Sequence, residues 1–476
     1  MKNEYLGLNT KRAILWVSNF MDTPYYAIFL ALVSLLSYFL GLDLLNISII
    51  SISISFSLLF KKKLNCLLII FLFMACMISK KHSPVAVIDN GDREFFYRPS
   101  NYIFCIVAAS IPVVICIFKS AVNIKNGDFF SFKLLIVTFL FGLALLTNGL
   151  MNEAYNPLNL SFSLFMFFFF VFLFFGIYPQ ITLNRENIVQ ISKQVCFFVL
   201  TILVECLVFF CTNYEFENGI FMNFYLGWGN SNTIGMLLII AIPFLCKMHN
   251  YENRAFKIFA IILTFFAIFL SALLLSAQTY LGLAVLAWLI LFFNWVCKKR
   301  CRKSLIILAC YTVLAASFCI IFFFVKPTSV QILVELSNGR IELWKRALLG
   351  FKKNIVFGSG FYFNGSDPNI NLSSFVPFCV HNTILQMLGS CGLLGMISYG
   401  IYRITTIIES VKLLNSENYG IFISLLMILI MSLVDIHIFD FFGTAIYVVL
   451  LCMCLSRGKS EKVHFNADCN NLNKTI

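Results

Sequence analysis

The chain has 476 residues, 60% hydrophobic and only 12% charged, with a mean hydropathy of +0.89. A soluble domain carries about 25% charged residues, so this chain cannot cover a surface that faces water on all sides and is expected in a bilayer. The formal net charge of +13 is split into short clusters between apolar runs, a topology signal that argues against a nucleic-acid-binding face.

Apolar runs of span length, or nearly so, recur along the chain. Spans are expected near residues 26–40, 44–60, 64–78, 102–118, 134–150 and 161–178. The series continues near 195–211, 233–246, 256–275, 280–296 and 304–325, and ends near 383–401, 419–433 and 441–455. The early runs are short and serine-rich, so one pair is open to being merged or re-entrant, and the count is roughly twelve to fourteen. No cleavable signal precedes them; the start is weakly basic, with Lys2, Lys11 and Arg12. The 17 cysteines sit mostly inside apolar runs and read as small buried hydrophobes, with neither a zinc spacing nor a disulfide framework.

The basic residues orient these spans. With the N-terminus inside, 25 of the 35 Lys and Arg fall in inner segments, Arg403 and Lys412 among them. The other 10 fall in two outer loops: Lys80, Lys81, Arg93 and Arg98 in one, and Lys326, Arg340, Lys345, Arg346, Lys352 and Lys353 in the other. The split follows the positive-inside rule. Basic residues kept outside point to an anionic ligand on the outer face. The chain then divides into N-terminal spans 1–325, a long outer loop 326–380, C-terminal spans 381–456 and a cytoplasmic tail 457–476. A second outer stretch, 212–232, is rich in Asn and aromatics, which suits either sugar stacking or an interfacial belt.

Loop 326–380 carries the densest polar pattern. Ser337 or Asn338 can cap a helix starting near Gly339. Ile341, Trp344, Leu348 and Phe351 then form one apolar stripe, as on a helix lying along the membrane surface, with Glu342, Arg346 and Lys353 opposite. Gly358-Ser359-Gly360 ends the segment in a flexible turn. His381-Asn382 opens the next span, which has Gly389, Gly392 and Gly395 at close-packing spacing. The chain has only 5 histidines. A histidine at a helix start is often only a satisfied polar residue. A neutral imidazole at a membrane surface can also take a proton from a hydroxyl near pH 7.

Arg340, Trp344, Gly358-Ser359-Gly360, His381-Asn382 and Gly392-Leu393-Leu394-Gly395 together resemble the signature of the O-antigen ligase and polymerase superfamily, bacterial polytopic membrane glycosyltransferases. The likeness is strongest over 337–395, and Asn230-Ser231-Asn232-Thr233 is similar to the family's Ser-Asn-rich start of a middle span. The resemblance implies an all-α integral membrane protein, GT-C-like, in the inner membrane with its active site on the outer face, and an O-antigen ligase-related region over 326–456. It implies an undecaprenyl-diphosphate-linked oligosaccharide as substrate, membrane lipids and a chain-length regulator as partners, no nucleic acid, no cofactor and no metal. On this view Arg340 balances the leaving diphosphate and His381 is the general base. Arg346, Lys345, Lys353, Gln278, Asn232, Asn382 and Trp344 are the candidate diphosphate- and sugar-binding residues. Relatives often carry an Arg where this chain has Ser276-Ala277-Gln278-Thr279.

The function expected is polymerisation of lipid-linked repeat units. One alternative is a ligase that moves the glycan to lipid A-core. Another is a flippase for lipid-linked sugars, which would carry charged residues along its spans facing a cavity. Glu205 is the clearest mid-span charge in the sequence.

Overall fold

A computed structural model describes residues 2–76, 99–150, 157–213, 224–226, 229–249, 253–297, 305–314, 317, 340–361 and 380–456. Lys80, Lys81, Arg93, Arg98, Lys326, Ser337, Asn338 and Gly339 lie outside the described residues, as do 362–379 and the tail from 457.

The described residues are helical throughout, without a named strand. In chain order they form α1 (Lys2–Phe20), α2 (Pro24–Leu40), α3 (Asp43–Phe60), α4 (Leu67–Ala75), α5 (Pro99–Lys125) and α6 (Phe132–Leu146). Then α7 (Pro157–Phe167) runs through a π-helical segment, Phe168–Leu173, into α8 (Phe174–Ile177). The remainder are α9 (Arg185–Asn213), α10 (Ser231–Met248), α11 (Arg254–Leu273), α12 (Ala277–Cys297) and α13 (Leu305–Leu314). Last come α14 (Arg340–Lys353), α15 (Thr383–Lys412), α16 (Tyr419–Met431) and α17 (Phe441–Cys454).

Eight of these are long and apolar enough to cross a membrane, and the pair α1–α2, bent by 80°, makes a ninth. Four shorter apolar helices of 10–17 residues accompany them, so the described residues hold eight or nine helices of span length against the twelve to fourteen spans expected. The run expected near 64–78 is different: α4 has 9 residues, all buried, about 14 Å at the α-helical rise and too short to cross.

The chain is an all-α integral membrane protein, and its outside is apolar where lipid would touch it. Helix α11 turns Ile258, Ile261, Phe265 and Phe269 outward. Its inward face is smaller, with Ala260, Thr264, Ala267 and Ser271 buried. Helix α10 is the buried axis, packed against α9, α11, α12 and α16. Asn230 caps it by accepting from the Thr233 amide at 3.1 Å. A Cβ on Gly235 would collide with the Thr279 hydroxyl. That close approach seats the start of α12 against the start of α10.

Helix α14 packs most closely through its smallest residues. Ala347 and Gly350 are buried, whereas Leu348 and Leu349 are exposed. Of the apolar stripe, Leu348 is exposed and Ile341, Trp344 and Phe351 are partly buried, so the fully buried positions are the small ones. The small residues let the α14 backbone approach α15, where a Cβ on Gly389 would lie 2.8 Å from the Ala347 carbonyl. The turn after α14 is buried and tied down rather than free. Gly358 (φ 68) and Gly360 (φ 88) occupy the left-handed region. The Ser359 and Gly360 amides donate to the Gly389 and Ser390 carbonyls, each at 2.9 Å. Helix α15 breaks at Gly392 (φ 63, ψ −158), which frees the Leu393 and Leu394 amides to donate to Ile355 and Val356 at 2.8 and 3.1 Å. On the other side, Asn159 accepts from the Phe361 amide at 2.8 Å and Asn354 donates to the Leu150 carbonyl at 2.8 Å.

Arg403 corrects the loop assignment. It lies inside α15, buried, with its guanidinium carbon 4.2 Å from the Tyr447 ring centroid, 4.8 Å from Tyr399 and 5.3 Å from Tyr402. It is a second deep charge beside Glu205, enclosed by rings.

Candidate functional site

At one end of the bundle the starts of α10, α12 and α15 meet the turn between α16 and α17. His381 ends the stretch before α15. Its φ of 52 makes it the one described non-glycine residue with a positive φ. Asn382 caps α15 through the Leu385 amide (2.9 Å) and donates to the Leu433 carbonyl at 2.8 Å. Thr383 binds the Ser432 carbonyl through its amide (3.0 Å) and hydroxyl (2.6 Å). These bonds fasten the start of α15 to the turn that carries Asp435.

His381 Nδ1 lies 2.8 Å from Asp435 Oδ1. A carboxylate only accepts, so Nδ1 carries a proton, and in the neutral form of the ring Nε2 is then the acceptor. The His381 side chain is 36% exposed and Asp435 only 9%. Asp435 also accepts from the Ile436 amide at 2.8 Å and from Asn232 Nδ2 at 3.2 Å. Burial pushes its carboxyl up, but the His381 hydrogen bond and the nearby histidines outweigh that and hold it well below the usual range. Behind it, Ser276 donates to Asn232 Oδ1 at 2.6 Å, which turns the amide nitrogen of Asn232 towards Asp435.

His437 lies deeper. Its Nε2 meets the amide nitrogen of Gln278 and is 4.0 Å from Asp435 Oδ2. An amide nitrogen only donates, so His437 Nε2 accepts and the ring is neutral. Burial pulls its pKa down; Asp435 opposes this, while His381 and Arg340 add to it. Arg340, the first residue of α14, is thus close enough to act electrostatically on this group. The carbonyl oxygen of Gln278 is buried without a hydrogen-bond partner.

The structure therefore brings His381, Asn382, Asn232 and Gln278 together, with Arg340 at the edge. It does not gather the rest. Lys345 and Arg346 lie 3.7 and 3.9 Å from Glu342 on the outer side of α14. Lys353 is at the far end of that helix, roughly 20 Å from Arg340 at the α-helical rise. Trp344 is partly buried, its indole nitrogen without a partner. Sequence reasoning missed Asp435, His437 and Ser276. The available signal was Asp435-Ile436-His437, a polar patch between two apolar runs in a chain with only 22 Asp and Glu. Among the described residues no three His, Cys, Asp or Glu are grouped to hold a metal ion.

Residues 259–400 match the family model described as O-antigen ligase. No curated protein matches the chain significantly. The matched stretch contains Gln278, Arg340, the Gly358–Gly360 turn and His381-Asn382, and it stops before Asp435. Over residues 259–400 the chain is therefore similar to the O-antigen ligase family, which is consistent with the ligase and polymerase superfamily that its motif resembles.

Proposed function

We propose that this protein polymerises lipid-linked glycan repeat units, moving a growing chain from undecaprenyl diphosphate to a sugar hydroxyl on the next lipid-linked unit. The observation that carries the reading is the His381–Asp435 pair at the head of the motif. His381 Nε2 takes the acceptor hydroxyl's proton while the hydroxyl oxygen bonds to the sugar's anomeric carbon. Asp435 orients the ring and stabilises the imidazolium that results. The bond to the diphosphate breaks in the same transfer, and Arg340 meets the charge that appears on the leaving phosphate. Asn232 and Gln278 back the pair, Asn232 through Asp435 and Gln278 through His437. The positive-inside split supports an outward-facing site in the inner membrane.

The description of the matched family favours a second reading, transfer of the finished glycan to lipid A-core. A deletion strain separates the two. Single unpolymerised units on the final acceptor support the polymerase. Long chains left on the lipid carrier support the ligase and overturn our reading.

A further inference from the structure

A cleft of about 820 Å³ opens at the end of the bundle opposite His381, where α9 begins, α10 ends and α16 begins. Helix α10 spans the gap between the two sites: Asn232 joins the Asp435 network and Lys247 lines the cleft. Those fifteen residues put roughly 22 Å of helix between them. One wall is polar, with Arg185, Glu186, Gln190, Lys247 and Glu417. The other includes Pro243, Ile290 and Ile423.

Lys247 is committed to Glu417, Nζ to Oε2, at 2.6 Å. Among the described residues no ion pair holds Arg185 or Glu186, and both are exposed at the rim. The carbonyl oxygen of Gln190 is buried and accepts no hydrogen bond. A ligand that completes this cleft brings an anion for Arg185, a donor for Gln190 and an apolar part for Ile290 and Ile423. It also tolerates two carboxylates, which a purely anionic headgroup would meet at short range. The cleft sits where apolar spans end, the depth of lipid headgroups.

We propose that this cleft binds one phospholipid with a primary-amine headgroup, of the phosphatidylethanolamine class. Its phosphate lies against the Arg185 guanidinium. Its ammonium donates to the Gln190 carbonyl and to the Glu186 carboxylate, and its acyl chains follow Ile290 and Ile423 out of the bundle. A trimethylammonium has no N–H to give to Gln190. This inference does not rest on the glycosyl-transfer reading, and its test involves no transfer.

The full chain, purified in mild detergent, is incubated with phosphatidylethanolamine, phosphatidylcholine and phosphatidylglycerol of matched chains, and retained lipid is read by native mass spectrometry. The wild type should hold phosphatidylethanolamine roughly tenfold more strongly than phosphatidylcholine, the worth of about one charge-assisted hydrogen bond. The double variant Gln190→Leu, Glu186→Gln should lose that preference. Equal retention of the two lipids by the wild type, a preference for phosphatidylglycerol, or no retained lipid overturns the proposal. So does a folded double variant that keeps the preference. The wild-type comparison decides by itself if the variant does not fold.

Discussion

His381 stands in the left-handed region, where a side chain crowds its own backbone at about 1–2 kcal/mol. What holds it there is the bond to Asp435 and the fastening of Asn382 and Thr383 to the turn beyond α16. A strained, partly exposed histidine with an oriented tautomer is the arrangement a proton acceptor needs. His381→Gln, present in the membrane at the wild-type level, should lower turnover by on the order of 10²–10⁴-fold. Asp435→Asn should lower kcat at least tenfold with the KM for the lipid-linked donor little changed, since the carboxylate acts through the ring. Wild-type rates in His381→Gln remove His381 as the base, and wild-type rates in Asp435→Asn remove Asp435 as the group that orients it.

Arg340→Lys keeps the charge and loses the planar fork. Losing one charge-assisted hydrogen bond, about 1.5–3 kcal/mol, should cost roughly tenfold or more in turnover. A lysine variant with unchanged kinetics would assign Arg340 to the surface of α14 alone.

His437 sets an acid limit on stability. Buried and neutral when folded, it resists protonation, while in the unfolded chain it takes a proton near pH 6.5. Between that value and its depressed folded pKa the unfolded state binds more protons, so stability falls as pH falls. Asp435, depressed in the folded state, loses its contribution only well below pH 5. From pH 7.5 to 5 the wild type should therefore lose more thermal stability than His437→Gln. Parallel slopes for the two proteins would show that His437 is already protonated in the fold.

At the scale of the element, the interlock of α14 with α15 is the most constrained part of the site. A Cβ on Gly392 would sit 2.5 Å from the Gly358 amide nitrogen and the Val356 carbonyl, and one on Gly358 would run into the Ser390 backbone. Both residues also have positive φ. Gly358→Ala should cost a few kcal/mol, from about 1–2 kcal/mol of backbone strain plus the displaced turn. Its expected readout is lower protein in the membrane and faster proteolysis after Lys352 or Lys353. A variant as stable and active as the wild type would mean the turn has room to move.

The sequence shows the glycines and their spacing, but not that Gly358–Gly360 fits into the break at Gly392. That contact depends on two segments more than thirty residues apart. The buried face of α14 was not legible for a related reason. Periodicity ranks residues by apolar character, whereas a helix packed against backbone selects the smallest ones, Ala347 and Gly350. His381 was legible because histidine is scarce and stands at a span boundary. Asp435 was not, since only the folded chain shows that the turn after α16 returns to the start of α15.

At the scale of the molecule, composition alone identified a membrane bundle, and the helices follow it closely. The run at α4 escaped because burial in a core and burial in lipid select the same residues. The orientation we propose rests on the distribution of charge. Lys352→Cys, in a background without reactive native thiols, should be modified by an impermeant reagent in intact spheroplasts. Modification only after lysis would reverse the topology and place the His381 end inside.

The pairing of His381 with Asp435 has a consequence for biosynthesis. His381, Arg340 and the glycine turn are all made before Asp435, the residue that orients the His381 ring on our reading. Chains grow at about 5–20 residues per second and domains tend to fold as they emerge. Between the making of His381 and of Asp435, 54 residues later, the nascent protein holds the motif without this carboxylate. On our reading the site is complete only once the turn after α16 has folded back onto the start of α15, so its assembly is one of the last steps in making the chain.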